Sequence, residues 1–374
     1  MIYLYYSSIT PNTASGNRYL SFLRGFDDLG VEATAVLQSP GLSRYHIPSS
    51  YKHVKIMELW REWFVLEKVC DKFYTPLARR SFLKSLKKGD TVLVYGSPEC
   101  VETFSRIPGV RVFHERTESP EVIPIANEKK QNTYLKSCAQ IDGLFVISTA
   151  LKDYFVSIGV SPDKIHIINM TVDVGRFANL LSSKKSQKFI TYCGSASNNK
   201  DGIDILIKAF SLVSQRFPDV KLQIIGNAPN KNDASGNVKL VESLGLAHKV
   251  VFTGVISMHK MPQVLKDSTI LVLARPDSLQ AKTGFPTKLG EYLLSESPVV
   301  VTSVGDIPLF LEHGKNAMLS VNKSPQEIAF MIMWLLEHPI EAAAIGKEGA
   351  KVAMRCFNYL TEVKKIVRVL NTPR

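Results

Sequence analysis

Short apolar runs alternate with helix-length segments twice along this chain, and no other feature narrows its possible folds as far. In the first half the runs fall at 2–7, 31–37 (VEATAVL), 91–95 (TVLVY), 110–114 (VRVFH), 143–147 (GLFVI) and 165–168 (IHII), with helix-period segments such as 17–29 and 149–158 between them. That order predicts parallel βαβ units. The pattern lapses between Val174 and Lys188, where Leu180-Leu181-Ser182-Ser183-Lys184-Lys185-Ser186-Gln187-Lys188 is polar and without period. It begins again at Phe189–Gly194, and a helix is expected from about Gly202 with Ile203, Leu206, Ile207, Phe210 and Val213 as one stripe. Further strands are expected at 220–225 (VKLQII), 249–252 (KVVF), 270–273 (ILVL) and 298–302, and helical patterns at 324–337 and 341–370 close the chain. The expected fold class is therefore α/β: a doubly wound domain over 1–178, a linker over 179–187, and a second doubly wound domain over 188–374. The last helix is expected to pack back on the first domain. Two such domains facing each other place a cleft between the carboxyl ends of their sheets.

At 374 residues the chain can fill two full cores. Its formal charge of +12 favours anionic partners: phosphates, nucleotides, anionic lipid or nucleic acid. The five cysteines (Cys70, Cys100, Cys138, Cys193, Cys356) are scattered and include no CxxC pair. This argues against a disulfide framework or a zinc site and for a reducing, cytoplasmic setting. Met1-Ile2-Tyr3-Leu4-Tyr5-Tyr6 has no basic leader and turns polar at Ser7, so it reads as a strand and not as a signal peptide. No apolar run approaches the roughly 20 residues that span a bilayer.

Candidate sites fall where strands hand over to helices. In Ala281-Lys282-Thr283-Gly284-Phe285-Pro286-Thr287-Lys288-Leu289-Gly290-Glu291-Tyr292-Leu293, a Gly-Phe-Pro turn leads into a short helix with Leu289, Tyr292 and Leu293 on one face. Thr287 is placed as its N-cap, and free amides beside Lys288 would hold an anion such as phosphate. A cap serving stability alone reads the same way. Gly194 ends a strand, and Ser195-Ala196-Ser197-Asn198-Asn199-Lys200-Asp201-Gly202 is a small-residue loop that can approach a pyrophosphate, with Lys200 as counter-charge. It is no GxGxxG, and no GxxxxGK[ST] occurs, which demotes nicotinamide binding and P-loop hydrolysis. The first domain has a comparable loop, Pro11-Asn12-Thr13-Ala14-Ser15-Gly16-Asn17-Arg18, with Ser15, Gly16 and Asn17 as candidates on the opposite side. His114 and Arg116 follow strand 110–113, and a buried structural histidine is the competing assignment. Arg275 follows strand 270–273 and is expected to converge with Lys282 and Lys288. Over 59–88, Lys68, Lys72, Arg79, Arg80, Lys84, Lys87 and Lys88 are interleaved with Trp60, Trp63, Phe64, Phe73, Tyr74 and Phe82. This suits peripheral contact with an anionic membrane, or else a solvated helix with a core-facing aromatic stripe. No RRM, KH, zinc-finger or helix-turn-helix pattern supports nucleic acid as a partner.

Taken together these stretches resemble retaining glycosyltransferase family four, the glycosyl transferases of group 1. Ile168-Asn169-Met170-Thr171-Val172-Asp173 with Phe177 is similar to that family's "Asn-Gly-Val-Asp…Phe". Tyr192-Cys193-Gly194 with Lys200-Asp201-Gly202 is similar to its "Gly-Arg…Lys-Gly". Leu222-Gln223-Ile224-Ile225-Gly226-Asn227 and Val251-Phe252-Thr253-Gly254 follow in order. Residues 283–302 resemble its Glu-x7-Glu block, and 284–292 match the "Gly-Phe-Pro-Thr-Lys-Leu-Gly-Glu-Tyr" version of a bacterial surface-polysaccharide branch. Two positions depart: Thr283 stands for the first glutamate and Ser195 for the usual arginine.

The resemblance implies a GT-B fold of two Rossmann-like domains and transfer of a sugar from a nucleoside-diphosphate sugar (UDP or GDP) to an acceptor hydroxyl, with retention at the anomeric carbon. It implies that Glu291 holds the ribose hydroxyls and that the position of Thr283 faces the donor sugar. Lys200 and Lys288, helped by Arg275 and the amides around Gly284 and Phe285, would stabilise the leaving diphosphate. Gly194, Ser195, Gly226, Asn227, Pro286, Thr287 and Leu289 would complete the donor site, and Val255 and Ile256 would line the base. His114 would contact donor sugar or acceptor, with Ser15, Gly16, Asn17 and Arg116 on the acceptor side. No metal and no cofactor are implied, since no DxD pair is present. The expected acceptor is a glycan or lipid-linked molecule of polysaccharide, lipopolysaccharide or glycolipid synthesis, met in the cytoplasm or at the inner face of the cell membrane. The rival readings are a nucleotide-sugar epimerase of the same fold and a degenerate paralogue that only binds nucleotide or membrane.

Overall fold

The computed structural model describes residues 1–6, 13–38, 51–59, 75–95, 98–123, 127–181, 187–321 and 323–373. The chain forms two compact units, Met1–Thr171 with Tyr359–Arg374, and Val172–Asn358. The crossing thus comes at Thr171/Val172, ahead of the expected 179–187 linker, of which 182–186 lie outside the described residues. Residues 172–178 already belong to the second unit. Val172 pairs with Asn358 and its amide donates to the Phe357 carbonyl (2.8 Å), and a 3-10 turn follows at Val174–Phe177.

In the first unit the elements are β1 (Ile2–Tyr6), α1 (Ala14–Asp28), β2 (Ala33–Leu37), β3 (Val54–Glu58), α2 (Thr75–Ser85), β4 (Thr91–Tyr95), α3 (Pro98–Ser105), β5 (Arg111–Arg116), α4 (Glu128–Gln140), β6 (Gly143–Val146), α5 (Thr149–Ser157) and β7 (Ile165–Ile167). Their strands make one sheet in the order β3-β2-β1-β4-β5-β6-β7, every pair parallel. With helices on both faces, the central strands β1 and β4 are buried and apolar throughout most of their length, as parallel strands commonly are, whereas β5 is buried but carries His114 and Glu115. β3 was not anticipated: its Val54-Lys55-Ile56-Met57-Glu58 is an edge strand, half exposed and mixed in polarity.

The second unit contains β8 (Lys188–Cys193), α6 (Asn198–Asp201), α7 (Ile203–Arg216), β9 (Val220–Ile225), α8 (Lys231–Ser243), β10 (Val250–Gly254), α9 (Met261–Lys266), β11 (Ile270–Leu273), α10 (Leu279–Thr283), α11 (Lys288–Leu294), β12 (Val299–Thr302), α12 (Ile307–Phe310), β13 (Met318–Ser320), α13 (Pro325–Glu337) and α14 (Pro339–Cys356). Its parallel sheet runs β10-β9-β8-β11-β12-β13. The stripe Ile203, Leu206, Ile207, Phe210 and Val213 on α7 is wholly buried. The 341–370 pattern proves to be two helices. It breaks at Phe357, which is buried against Phe285 (5.5 Å) and Phe310 (5.0 Å).

The chain then re-enters the first unit as α15 (Tyr359–Asn371). This helix lies against α1 at Gly25, where any Cβ would meet Val363 Cγ2 at 2.6 Å, so only glycine allows the approach. Its buried Glu362 accepts from the Asn169 amide (2.7 Å), and Arg111 reaches the Leu370 carbonyl (2.6 Å). In the basic and aromatic stretch 59–88, residues 60–74 lie outside the described residues. Within α2, Phe82 is a core residue, edge-on to Tyr3 (5.3 Å) and Phe104 (6.2 Å), while Arg80 and Lys84 are exposed.

Two polar pairs sit inside the first unit. Arg18 of α1 donates through Nε to Glu115 Oε1 (2.7 Å), and its other nitrogens reach the carbonyls of Asn169 (2.6 Å) and Ile168 (3.0 Å). Both partners are buried, so their charges survive only as a pair. His114, inside β5 and wholly buried, meets the Tyr134 hydroxyl at Nδ1 (3.0 Å). Burial, with the Arg116 guanidinium nearby, lowers its pKa to about 3, so the ring is neutral.

Removing one member of the ion pair strands the other, and Arg18→Met is expected to cost about 3–5 kcal/mol of unfolding free energy, read from urea midpoints. His114 carries a second expectation. Its folded pKa lies below the ordinary 6.5, so the unfolded chain binds the extra proton between that value and about 3. Stability linked to His114 is complete above the upper limit and is lost as pH falls toward the lower one. Urea midpoints at pH 7, 5 and 4 should therefore fall more steeply for the wild type than for His114→Gln.

Candidate functional site

In the second unit, the strand-end turns that follow β8, β9 and β10 draw together. The Gly194 amide donates to the Ile225 carbonyl (2.9 Å), the Gly226 amide to Gly254 (2.8 Å), and the Ala196 amide to Asn227 (3.0 Å). The sequence-expected Gly194, Ser195, Gly226 and Asn227 are thus neighbours at the carboxyl edge of this sheet. Val255, 67% exposed, and half-buried Ile256 continue from the end of β10.

Helix α11 is pinned to the same edge. The Tyr292 hydroxyl accepts from the Cys193 amide (2.5 Å) and donates to the Cys193 carbonyl (3.0 Å). Lys288 stands one helical turn before Tyr292 and so shares its face. Its ammonium donates to Asp201 Oδ2 (2.7 Å) and to the Tyr192 hydroxyl (2.7 Å), 4.7 Å from the centre of the Tyr192 ring. The Tyr192 hydroxyl in turn lies 2.7 Å from Asp201 Oδ2 and 2.6 Å from the Ser195 carbonyl. Lys288 Nζ and Cε occupy the space that a side chain at position 194 would need, and Gly194 has φ +149°. Glycine is required there on both counts.

The charges are organised around Asp201. Burial would raise its pKa, but Lys288, Arg275 and Tyr192 outweigh that and hold the carboxyl below its ordinary value. Burial also lowers the Lys288 pKa, with Asp201 pulling the other way. Arg275, 1% exposed, donates to the Gln280 carbonyl (3.4 Å) and contributes its charge to the same cluster. Among the described residues, two cations thus lie near the Asp201 carboxylate.

The turn into α11 corrects one expectation. Thr287 does not cap the helix: its φ and ψ (−59°, −26°) are already helical and its side chain makes no cap hydrogen bond. The helical path begins at Pro286, whose carbonyl accepts from the Leu289 amide (3.0 Å). Ser278 is the capping residue, on α10, accepting from the Ala281 amide (3.2 Å). Thr283 is buried and donates its hydroxyl to the Leu279 carbonyl (2.8 Å) inside its own helix. Lys282 does not join Arg275 and Lys288. It is half exposed and paired with Asp277 (3.4 Å), which Lys323 also approaches (3.5 Å). Gly284, Phe285 and Pro286 are buried, with Phe285 edge-on to Phe310 (5.6 Å), and Leu289 is core. Lys200 lies in α6 with its amide on Ser197 Oγ (3.3 Å). Glu291 is held by Arg176, which also donates to the Met258 carbonyl (2.9 Å).

Of the first-unit candidates, Ser15, Gly16 and Asn17 form the first turn of α1, with Thr13 Oγ accepting from the Gly16 amide (3.0 Å). Pro11 and Asn12 lie outside the described residues. Arg116 does not stand open: Nε donates to the Glu118 carbonyl (2.7 Å) and another nitrogen to Ile123 (2.8 Å), bracing the loop after β5. His114 lies within the strand and not after it, with Nε2 buried and without a hydrogen-bond partner among the described residues.

Sequence reasoning passed over Asp201, Tyr192 and Arg176. Tyr192 and Asp201 flank the small-residue loop, which was the only signal. Arg176 falls in the stretch read as aperiodic.

Residues 187–338 match the family described as glycosyl transferases group 1. Mannosylfructose-phosphate synthase of Agrobacterium fabrum is 22% identical over 227 residues, 57% of this chain and 48% of that protein. The GDP-mannose-dependent alpha-(1-6)-phosphatidylinositol monomannoside mannosyltransferase of Mycolicibacterium smegmatis is 27% identical over 191 residues, 50% of this chain and 48% of that protein. The chain thus spans about half the length of the curated relatives it matches. The crystal structure of Anabaena HepE in complex with UDP superposes with a TM-score of 0.76 at 17% identity, over 99% of both chains. Residues 187–338 of the second unit are thus similar to the glycosyl transferases of group 1, and two parallel α/β sheets with a like-folded neighbour over its full length show a GT-B fold.

Proposed function

We propose that this chain is a retaining glycosyltransferase that moves a sugar from a nucleoside-diphosphate sugar to an acceptor hydroxyl. The observation that carries this reading is the Lys288 ammonium, fixed by Asp201 and Tyr192 against a bare Gly194 at the carboxyl edge of the second sheet. Ligands bind at that edge in doubly wound sheets. The bond from the anomeric carbon to the diphosphate oxygen breaks as the acceptor oxygen bonds to that carbon, and the diphosphate gains negative charge. Donors already aimed at that charge lower the barrier without reorganising. Lys288 and Lys200, with the buried charge of Arg275, supply it in this reading.

Glu291 takes the ribose hydroxyls, and the exposed Val255 and Ile256 edge takes the base. Gly226, Asn227 and the turn at Gly284, Phe285, Pro286 and Thr287 line the donor, while the Ser15, Gly16, Asn17 turn, Arg116 and His114 are assigned to the acceptor and transferred sugar. UDP or GDP is the nucleotide: a relative is named for GDP-mannose and a like-folded structure holds UDP. A glycan or lipid-linked acceptor of surface polysaccharide, lipopolysaccharide or glycolipid synthesis completes the reading. Peripheral contact of 59–88 with an anionic inner membrane face belongs to it as well.

UDP or GDP should raise the melting temperature in a thermal-shift screen that also contains ADP, CMP and dTDP, and no shift with any of them would remove the donor site. With the active donor and acceptor, Lys288→Ala and Lys200→Ala should each slow transfer about hundredfold or more with the fold retained. Gly194→Ala, which displaces Lys288, should behave like the Lys288 variant. Full activity in both lysine variants would refute the diphosphate assignment, and epimerised sugar formed from donor alone would favour the epimerase.

A further inference from the structure

Glu291 carries no free-standing carboxylate. Its Oε1 is taken by the Arg176 guanidinium, and both side chains are 23% exposed. A second nitrogen of Arg176 donates to the Met258 carbonyl (2.9 Å), which lies in the connection between β10 and α9. Arg176 itself stands on the 3-10 turn Val174–Phe177, locked by Asp173, whose carboxylate accepts from the Gly175 amide (2.9 Å). Val172, just before it, is tied to Phe357 and Asn358. The guanidinium therefore comes from a backbone anchored just ahead of it, and it joins three segments of the second unit: 172–178, 255–260 and α11.

We infer that Arg176 is the positioning residue for ribose recognition, acting through Glu291; this rests on the nucleotide-sugar reading above. A carboxylate offers two oxygens with room for several donors. A planar guanidinium that engages one oxygen while anchored to a carbonyl fixes the direction of the other. Left alone, a glutamate on a seven-residue helix samples several rotamers, and a ribose must order it on binding. With Arg176 in place that ordering is already done, and Oε2 is available to accept from a sugar hydroxyl. Arg176 touches no nucleotide in this scheme. Its effect must appear only where Glu291 has a hydroxyl to hold.

The experiment compares binding of UDP, 2′,3′-dideoxy-UDP, GDP, 2′,3′-dideoxy-GDP and inorganic pyrophosphate to wild type, Arg176→Ala, Arg176→Lys, Glu291→Gln and the Arg176→Ala/Glu291→Gln double variant, by calorimetry on the full chain. For the ribonucleotide that binds, Arg176→Ala should weaken affinity about tenfold or more, the size expected for an oriented hydrogen bond to a charged group. Its 2′,3′-dideoxy counterpart, with no ribose hydroxyl for Glu291 to hold, and pyrophosphate should change by no more than about twofold. Arg176→Lys, lacking the fork, should recover only part of the loss, and the double variant should be no worse than Glu291→Gln alone.

A loss shared equally by ribo- and dideoxynucleotide would mark Arg176 as merely structural and overturn the inference. So would an unchanged ratio between the two. Failure of the wild type to bind any of the diphosphates overturns the donor-site reading and this inference with it. Binding with an unaltered ratio overturns this inference alone.

Discussion

An ammonium group five bonds from the helical Cα cannot be sunk into a protein edge without a carboxylate to meet it. Asp201 is that carboxylate, and the rest of the second unit's carboxyl edge follows from its pairing with Lys288. The pair sets where α11 begins, because Lys288 and Tyr292 must both reach the end of β8 from one helix face. It demands glycine at 194, since the lysine lies where a side chain would go. It also recruits Tyr192, whose hydroxyl stands between Asp201, Lys288 and the loop carbonyl of Ser195. Arg275 adds its charge to the same cluster. A lone lysine on a flexible loop could offer the same charge, but not at a fixed point.

The first unit handles buried polarity differently. Arg18 and Glu115 neutralise each other in its interior, and Arg18 uses its remaining nitrogens on the carbonyls at 168 and 169, near the end of this unit's first segment. Glu362 then takes the Asn169 amide from the returning helix α15. The two ends of the unit's discontinuous chain are therefore joined at one place, by an arginine and a glutamate. A helix supplied from nearly 200 residues away is held by chemistry as well as by apolar packing. His114 adds the third element, a neutral ring kept so by burial.

Much of this fold was legible in the sequence because parallel, buried strands are continuous apolar runs. The interior strands β1, β4, β8 and β11 were readable on that ground, and so was the stripe on α7. What escaped was short or mixed: β3 carries polar residues on an exposed edge, and β13 is three residues long. The boundary was misplaced because polarity was taken for a linker, whereas the chain had already joined the second unit at Val172 through backbone pairing that leaves no hydrophobic signature. Thr287 looked like a cap because a threonine before a helix usually is one. Here Pro286, with its fixed φ, had already started the helical path. Lys288 could be read as a candidate, but its counter-charge could not. Nothing in Asn198-Asn199-Lys200-Asp201-Gly202 says that the aspartate turns inward and the loop's own lysine is not its partner.

That inward turn bears on the two positions at which this chain departs from the family it resembles. With serine at 195, the loop after β8 has no cation of its own at that position, and Ser195 contributes a carbonyl to the Tyr192 hydroxyl. Positive charge enters from the other direction, along α11, and comes to rest against the adjacent Gly194. A cation carried on a helix and braced by a buried aspartate has fewer rotamers to lose than one on a surface loop. The consequence falls on Asp201, since Lys288 keeps its place only while that carboxylate stays ionised. The arrangement at 284–292 thus depends on a residue nearly ninety positions earlier.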